Sequence, residues 1–538
     1  MKPAYDVVVI GSGFGGAISA CRLAQAGRSV ALLERGRRWG KTDFPRSPGE
    51  VARAFWRKNE SFGFLEYKAF KRIDVIQGCG VGGGSLHYFN VHLRTPAAIF
   101  ARPVWPAEIT REVLNPYYDL AEETLESKPL APPAGRELPG RTQAFQAAAA
   151  ATGRPPELVP IGVYTGADRT HPLSGLPQTA CDYSGDCMLG CVLHAKNTLD
   201  LNYISLAERH GAEVFPLHEV EKIEPLGEAG YRVHFNRLDP ARAGWSEPGA
   251  VVGKKIAVAA GTVGTNELLL RCRDVHRTLP GLGSLLGSRF SGNGDFLLAA
   301  TLHANREIDP GSGPSITIGA DFSTPSNRIF IEDLGYPNPF MWLLEGVIPS
   351  AGRFKNLFDA AATYVLDTLG LGAGRVSFEA DRLFRGGATT RMLPYLAMGT
   401  DAADGRLSLK GGAIDIDWNH RRSRQLFREI ERALKELSRS LDGTYATSVL
   451  WRWPLRKLLT AHPLGGCPMG DNPQSGVTKH TGQLWAYPNV FVADAALIPS
   501  ALAVNPSLTI SALAERVAFW MIHGREMQPG DSQRPVNK

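Results

Sequence analysis

The sequence lacks the continuous runs that mark several classes of protein. Its 538 residues contain no apolar stretch of about 18 or more uncharged residues, so we expect no membrane-spanning helix. They contain no basic run interleaved with aromatic residues, so nucleic acid is not an expected partner. No internal repeat or long low-complexity tract is visible either. These absences point to an ordinary globular protein.

Cysteine is scarce and shows no pairing pattern. The seven cysteines are scattered along the chain, which favours reduced thiols and a cytoplasmic location over a disulfide framework. The spacing of Cys181, Cys187 and Cys191 matches neither zinc-binding pairs nor the common ferredoxin runs. We therefore predict structural thiols and no metal there. Because a strand begins almost at Met1, we expect no secretory leader.

The composition is that of a chain that can bury a large core. Hydrophobic residues make up 43% and charged residues 21%, and the net charge of +6 is mild for this length. The length suggests two or more domains.

The clearest pattern lies in residues 1–36. Tyr5–Ile10 (YDVVVI) reads as a buried parallel strand, and the glycine-rich turn GSGFGG follows it. Residues 17–26 have apolar positions at helical spacing, and residues 29–33 read as a second strand that ends at Glu34. Strand, glycine turn, helix and second strand together predict a dinucleotide-binding unit.

Each residue type in this unit has a physical role. Gly11 permits the sharp turn, Gly13 lets a pyrophosphate approach the backbone, and Gly16 lets helix and strand pack closely. The N–H groups at the helix start face the phosphates. Glu34 can accept both hydroxyls of an adenosine ribose. The motif alone does not decide between FAD and NAD.

A second glycine-rich segment, GCGVGGGSLH at residues 78–87, has apolar residues on both sides. Its glycines remove side chains where backbone must lie against a flat or charged group. We predict that it contacts the cofactor.

The rest of the chain alternates between two kinds of pattern. Strand-like residues 212–223, 255–260 and 489–493, with helices at 199–208, 266–272 and 506–516, return to the first unit. The region from 296 to about 459 has alternating β runs mixed with aromatics, and residues 132–153 are expected on the surface. We predict an α/β protein with a Rossmann-type FAD-binding domain and an intertwined substrate domain built on an antiparallel sheet. The predicted boundaries are 1–95, 200–295 and 460–530 for the FAD domain, and 96–199 and 296–459 for the substrate domain.

The motifs GSGFGG with Glu34, GCGVGGGS, AAGTVGT, AHPLGGCPMG and VADAALIPSALAVNPSLTISALAER together resemble the glucose–methanol–choline (GMC) family of FAD oxidoreductases. The resemblance spans most of the chain. Within the family, HPLGGC, NPSLTI and GCVLHAKNTLDLNY are most similar to the flavin cholesterol oxidases.

The resemblance implies an active site with FAD as cofactor. His462 matches the family's active-site histidine, Asn505 matches its partner, and Asp494 matches the acid beside the flavin's ribityl and phosphate portion. The chemistry of the residues agrees, since alcohol oxidation removes a hydroxyl proton, for which a histidine is a suitable base, and a hydride that flavin accepts. Asn505 can hold the same oxygen, and we place it at the N-cap of a helix with Pro506 at its first position.

Two departures from the sterol oxidases concern His87 and a glutamate. Some family branches attach FAD through a histidine at the spacing of His87, so a covalent bond and a simple pocket histidine both stay open. The resemblance also implies a cavity glutamate that moves a proton during ring isomerisation. Glu332 is our choice for it and Glu345 the other candidate, while a structural salt bridge is the alternative role for either.

The complete set of residues predicted to contact FAD is Gly11, Gly13, Phe14, Gly15, Gly16, Glu34, Arg35, Gly80, Gly83, Gly84, Ser85, His87, Asn90, Val220, Ala260, Gly261, Asp494, Ala495, Pro506, Ser507 and Leu508.

The expected substrate is a bulky apolar alcohol, a sterol or related lipid. Phe340, Trp342, Tyr395 and Trp451 favour bulk, although core packing explains such aromatics equally well. Oxygen or a quinone-like acceptor takes the electrons, and a transient membrane contact is expected. The alternatives are a dehydrogenase of long-chain, aromatic or sugar-type alcohols, an NAD(P)H-dependent flavin reductase, and a flavin-binding protein without catalysis.

Overall fold

A computed structural model of the protein describes residues 1–58, 60–132, 135–242, 244–303, 306–337, 388–448, 450–452, 455–528 and 530–531. Phe340, Trp342 and Glu345 lie outside these residues. Among the described residues, every helix is too short or too polar to cross a bilayer.

The N-terminal unit folds as a strand, a turn, a helix and a second strand. The strand Ala4–Ile10 leads into the helix Phe14–Gln25, and the strand Val30–Leu33 pairs with the first in parallel. The helix begins three residues earlier than predicted. Its glycines belong to the helix because a Cβ on Gly16 would lie 1.8 Å from the Gly11 carbonyl oxygen, so the tight contact with the turn requires glycine inside the helix.

A seven-stranded sheet forms around this unit. Its strands, in order, are Glu213–Phe215, Val30–Leu33, Ala4–Ile10, Ser246–Val258, Tyr231–Leu238 and His218–Pro225, and Val490–Val492 also pairs with Ser246–Val258. The strand predicted over 212–223 is broken in two at Leu217, whose φ of +61° is incompatible with a continuous strand. The carboxyl ends of the parallel strands meet at one edge, where the glycine turn lies.

A six-stranded antiparallel sheet forms the second layer. Its strands, in order, are Thr444–Thr447, Phe296–Leu302, Met392–Gly399, Ile329–Asp333, Ile318–Asp321 and Pro156–Leu158. The helix Arg424–Ser440 covers it with a buried stripe that includes Phe427, Ile430 and Leu434. Each sheet takes all its strands from the segments predicted for its domain, while the domain boundaries themselves stay a prediction.

Smaller strand pairs connect the two sheets. Leu458–Thr460 runs parallel to Ile73–Gly78, which pairs with Leu65–Ala69. Ser288–Ser291 pairs with Leu464–Gly466. The other short strands are Trp56–Arg57, Ser61–Phe62, Lys128–Pro129, Pro160–Ile161, Arg169–Thr170, Pro177–Gln178, Arg406–Lys410 and Ala413–Asp417.

The remaining α-helices are Ala97–Phe100, Arg111–Thr124, Gly140–Ala151, Tyr203–Arg209, Gly261–Leu270 and Ser507–His523. Short 3₁₀ turns include Pro48–Ala54, Gly83–Leu86, Asp186–Leu189 and Ala495–Leu497, and Arg271–Val275 is a π turn.

The segment 132–153 corrects the prediction of a surface stretch. Its helix Gly140–Ala151 buries Ala144, Phe145, Ala148 and Ala149. Alanine is the strongest helix former, and a small side chain permits close packing, so a stripe of alanines at helical spacing forms a buried face in which Phe145 is the large apolar side chain.

Candidate active site

A cavity of about 910 Å³ runs from the glycine turn to the segments that carry His462 and Asn505. Its inner wall includes the apolar residues Phe89, Leu297 and Tyr336, and Leu450 and Leu459 also line it. Tyr395 and Trp451 do not line it. They pack in the core against Phe145 and Phe296 respectively, so the core-packing explanation applies to both.

The two glycine-rich segments, residues 11–16 and 78–87, pack against each other at one end of the cavity. A Cβ on Gly83 would lie 2.5 Å from the Gly13 Cα, whereas a Cβ on Gly13 would meet no atom within 4 Å. Gly11 has φ +92°, and its Cβ position lies 2.4 Å from the Ala259 carbonyl oxygen. Glycine is therefore required at the turn and at the loop contact, and Gly13 exposes bare backbone to the cavity beside a helix start.

Glu34 is fixed at the tip of the second strand. Its carboxylate accepts hydrogen bonds from the Ser12 N–H at 3.0 Å, the Ser12 hydroxyl at 2.7 Å and the Gly36 N–H at 2.8 Å. Next to it, Arg35 pairs with Glu66 and stacks over the Trp56 ring, with 4.4 Å between guanidinium carbon and ring centroid. Both side chains line the cavity.

Most residues predicted to contact FAD are on the cavity wall. These are Gly11, Gly13, Phe14, Gly15, Glu34, Arg35, Gly83, Gly84, His87, Val220, Ala260, Gly261, Asp494, Ala495, Pro506 and Ser507.

Five residues of that set, Gly16, Gly80, Ser85, Asn90 and Leu508, lie behind the wall. Gly16 serves helix–strand packing, and the Ser85 hydroxyl donates to the Gly82 carbonyl oxygen while accepting from the Leu199 N–H. Asn90 is fully buried, and within the described residues neither polar atom of its side chain has a partner.

Asp494 is held where the last parallel strand ends. Its carboxylate accepts from the Gly261 N–H at 2.8 Å, the Thr265 hydroxyl at 2.5 Å and the Ala496 N–H at 2.9 Å. Burial raises the pKa of this carboxyl to about 6, against the hydrogen bonds that lower it.

His462 is oriented by Asp295, a residue for which no role was predicted. His462 Nδ1 lies 2.9 Å from Asp295 Oδ1, and Asp295 Oδ2 accepts from the Thr460 hydroxyl at 2.8 Å and the Ala461 N–H at 3.1 Å. The Asp295 carboxylate accepts, so Nδ1 carries the proton in the neutral ring and Nε2 is the free base. The pair is separated by 167 positions, and no local pattern links them.

Asn505 is held by Glu332. Asn505 Nδ2 donates to Glu332 Oε2 at 3.2 Å, and within the described part of the chain Asn505 Oδ1 and Glu332 Oε1 are buried without partners. The alternative of a salt bridge for Glu332 finds no cationic partner there. Burial, with Asp333 and Asp295 nearby, raises the pKa of Glu332 well above its usual range.

The helix after Asn505 begins one residue later than predicted. It runs from Ser507, and Pro506 occupies the N-cap. The Asn505 side chain therefore does not cap the helix but faces Glu332.

His87 lines the same cavity and is buried. Its Nε2 has no partner among the residues that the structure describes. Burial, followed by the charges of Lys196 and His462, lowers the pKa of His87 to about 3, so the ring is neutral at ordinary pH.

The three clustered cysteines line a separate small cavity of about 30 Å³. All are half-buried free thiols. In the described residues, no group of three or more His, Cys, Asp or Glu side chains is arranged to hold a metal ion.

The donors present fit a flavin dinucleotide. The open Gly13 backbone, the acid at the second strand tip and the N-terminus of Phe14–Gln25 suit a dinucleotide. The unpartnered atoms of His87 and Asn505, which both line the cavity, are costly to bury alone, and this indicates a polar group bound beside them.

Comparisons with known proteins identify the family of this chain. The family model described as GMC oxidoreductase matches residues 401–514, and the one described as NAD(P)-binding Rossmann-like domain matches residues 9–55. Cholesterol oxidase from Mycobacterium tuberculosis is 30% identical over 96% of this chain and 91% of its own, and cholesterol oxidase from Acinetobacter baumannii is 29% identical over 96% and 94%. A long-chain-alcohol oxidase from Arabidopsis thaliana is 23% identical over 96% of this chain and 68% of its own.

Among solved structures, pyridoxine 4-oxidase from Mesorbium loti superposes with a TM-score of 0.62 at 16% identity, covering 96% of this chain and 99% of that one. This likeness and the Rossmann-like match confirm the predicted α/β fold class. The predicted family and the prediction of an oxidoreductase are likewise confirmed. The chain belongs to the GMC oxidoreductase family.

Proposed function

We propose that the protein oxidises the CH–OH group of a bulky apolar alcohol, a sterol or related lipid, with FAD as its cofactor. The observation that carries the proposal is the shared cavity, in which His462 and Asn505 line the same space as the glycine cradle. Two relatives named as cholesterol oxidases support the substrate class. The apolar wall around Phe89, Leu297 and Tyr336 suits such a substrate.

The cofactor contacts come from residues at both ends of the cavity. GMC oxidoreductases are generally FAD-binding flavoproteins. Gly13, Glu34 and Asp494 would hold the dinucleotide, and the start of the helix Ser507–His523 would face the flavin. When bound, FAD supplies the isoalloxazine that accepts a hydride.

His462 acts as the base for the hydroxyl proton. Its free Nε2 accepts the proton, and the imidazolium that results is stabilised by the Asp295 carboxylate at Nδ1. Because Asp295 is itself held by Thr460 and Ala461, the ring keeps one orientation toward the cavity. Little reorganisation is therefore needed when the proton moves.

Asn505 positions the same hydroxyl group without changing charge. One N–H of its Nδ2 is used by Glu332, which leaves the second N–H to donate to the substrate oxygen while the proton of that oxygen goes to His462. Glu332 orients this amide but does not line the cavity, so proton transfer on substrate carbon during isomerisation stays a prediction for its carboxyl.

His87 is proposed to carry the flavin covalently. Its ring is neutral and lines the cavity, and its Nε2 has no hydrogen-bond partner within the described residues. Precipitation of the holoenzyme in acid tests this directly. Yellow colour in the pellet, lost in His87→Ala, is expected, and colour released entirely to the supernatant would leave His87 as a pocket residue.

The competing functions are less well supported. A long-chain, aromatic or sugar-type alcohol is the second candidate substrate, favoured by the long-chain-alcohol oxidase relative. An NAD(P)H-dependent reductase needs a second nucleotide fold, but the helix Gly261–Leu270 leaves the same seven-stranded sheet as the first motif. A protein without catalysis leaves the His462–Asp295 pair without a role.

One experiment separates these functions. The FAD-loaded protein is mixed anaerobically with sterols, linear alcohols, aromatic alcohols, sugars and NADH, and flavin absorbance near 450 nm is followed. We expect bleaching by a sterol or a similar bulky alcohol. Bleaching by NADH alone would replace the proposal with a reductase, and no bleaching would favour a binding protein. Reoxidation of the reduced flavin by oxygen or by a quinone then identifies the electron acceptor. Binding of the protein to lipid vesicles is a separate test of the expected transient membrane contact.

A further inference from the structure

We propose that one loop, Ser291–Asp295, holds His462 and Asn505 in register, and that Asn293 is the positioning residue for Asn505. The inference rests on the proposed function of these two side chains. It assigns a role to a buried amide that lies outside the cavity wall.

On one side, the loop is hydrogen-bonded directly to the segment that carries His462. Asp295 bonds to the His462 ring and to the Ala461 N–H, as described above. The Thr460 hydroxyl lies 3.2 Å from the Gly292 carbonyl oxygen as well, and it accepts from the His462 N–H at 2.9 Å. Residues 460–462 are therefore tied to the loop by side chain and backbone.

The asparagine side is tied through Asn293. Its Oδ1 accepts from the Leu502 N–H at 2.8 Å and the Ala503 N–H at 3.1 Å, and its Nδ2 donates to the Val504 carbonyl oxygen at 2.9 Å. Ala503 has φ +59°, a backbone conformation that an alanine adopts at a cost. These three bonds maintain the strained turn that ends directly before Asn505.

The loop itself is braced by Asp401. Its carboxylate accepts from the Ser291 hydroxyl at 2.8 Å and the Gly294 N–H at 2.9 Å. Gly294 has φ +64°, and a Cβ there would lie 2.2 Å from the Gly399 carbonyl oxygen. A rigid loop that touches both segments fixes the distance between the two catalytic groups more firmly than either segment does alone.

The backbone groups that face position 293 require an asparagine side chain. The site requires an acceptor for two N–H groups and a donor for one carbonyl oxygen at the end of a short side chain. Aspartate has the same shape but no donor for the Val504 carbonyl oxygen. Asn293→Asp therefore removes the hydrogen bond to the Val504 carbonyl oxygen and places a carboxylate oxygen beside it, while the volume of the side chain stays nearly the same.

The test is a double-mutant cycle in the FAD-loaded protein. Asn293→Asp, Asn505→Ala and the double variant are compared by the anaerobic rate of flavin reduction with an alcohol that bleaches the wild type. We expect Asn293→Asp to slow flavin reduction by about 10- to 100-fold when Asn505 is present. In the Asn505→Ala background we expect the same substitution to slow reduction by less than about 2-fold, because Asn293 acts on the rate through Asn505. Equal slowing in both backgrounds, or an unchanged rate for Asn293→Asp, would overturn the proposal.

A matched control separates positioning from general stability. Asn197 is also buried, accepts from Gln178 Nε2 at 2.9 Å and donates to the Leu125 carbonyl oxygen at 3.3 Å. Asn197→Asp is expected to lower thermal stability with little change in the reduction rate. If it slows reduction as much as Asn293→Asp does, the effect is one of stability and the proposal fails.

A second readout needs no substrate. Hydrogen exchange in a peptide covering residues 498–508 is expected to accelerate in Asn293→Asp and not in Asn197→Asp. Repulsion between the new carboxylate and the Val504 carbonyl oxygen lets the turn that carries the Leu502 and Ala503 amides open more often. Unchanged exchange would overturn the proposed tie. If no alcohol bleaches the wild type, the proposed function fails while this measurement still decides whether the tie exists.

Discussion

The two ends of the cavity are built in different ways. The nucleotide end is formed by the backbone of residues 11–16 and of the second glycine-rich segment. Its shape depends on the absence of side chains at Gly13 and Gly83. The reacting end is made by side chains, with His462 and Asn505 supported from behind by Asp295 and Glu332. The difference implies that changes at one end alter cofactor binding and that changes at the other alter chemistry.

The largest effect is expected at the reacting end, from His462→Ala. Removing a general base slows proton transfer by about 10² to 10⁴-fold. Anaerobic stopped-flow reduction of the flavin by an alcohol measures it, and the FAD content is expected to equal that of the wild type. Loss of FAD together with activity would show that the two ends are not separable.

The pH dependence of the free energy of unfolding tests the role of Asp401, which braces the loop behind His462 and Asn505. Burial raises the pKa of the Asp401 carboxyl from 3.8 to about 6. The folded protein then binds a proton near pH 5 that the unfolded chain does not, so this group's contribution to stability decreases as pH rises from about 4 to about 6, by at most about 3 kcal/mol.

Asp401→Asn removes that titration. Thermal midpoints of wild type and variant, measured between pH 4 and 7, are expected to show the wild type losing its advantage with rising pH. A wild-type advantage that grows over the same range would mean that the pKa of Asp401 is lowered rather than raised.

A smaller effect is expected from Asp295→Asn. The amide keeps its size but cannot stabilise an imidazolium as a carboxylate does, and it permits the other tautomer of His462. We expect flavin reduction to slow by about 10- to 10²-fold, with a shifted pH profile. A rate equal to that of the wild type at every pH would remove Asp295 from the mechanism.

The smallest effect, and the one confined to the nucleotide end, is expected from Gly13→Ala. Gly13 has φ −68°, which alanine accepts, and its Cβ would enter open space in the cavity. FAD affinity is expected to fall about 10-fold with the protein still folded. Titration of the apoprotein with FAD measures it.

Gly16→Ala is the matched control for Gly13→Ala. Its Cβ would lie 1.8 Å from the Gly11 carbonyl oxygen, so we expect loss of stability of about 1–3 kcal/mol. If both variants behave alike, the glycines of this turn do not divide into ligand-facing and packing positions.

The strand, turn and helix of the nucleotide end could be predicted from the sequence because the signals for them are local. The turn, the helix and Glu34 lie within 36 residues, and each has a requirement visible in its neighbours. The helix start was three residues off because glycines that read as a loop are needed inside the helix for packing.

The reacting end was predicted only in part. His462 and Asn505 came from the family resemblance, but Asp295 and Asn293 did not, since their partners lie far away along the chain and a lone Asp or Asn in a glycine-containing loop is typical of turns. The buried alanine-rich helix was missed because its core face contains few strongly apolar side chains.

A crystal structure of the FAD-loaded protein with a bound alcohol is the best test of the roles proposed for His462 and Asn505. We expect the substrate oxygen to lie within about 3.5 Å of both His462 Nε2 and Asn505 Nδ2, beside the flavin ring. A substrate oxygen that contacts neither group, or a flavin bound away from the cavity between Gly13 and His462, would contradict it.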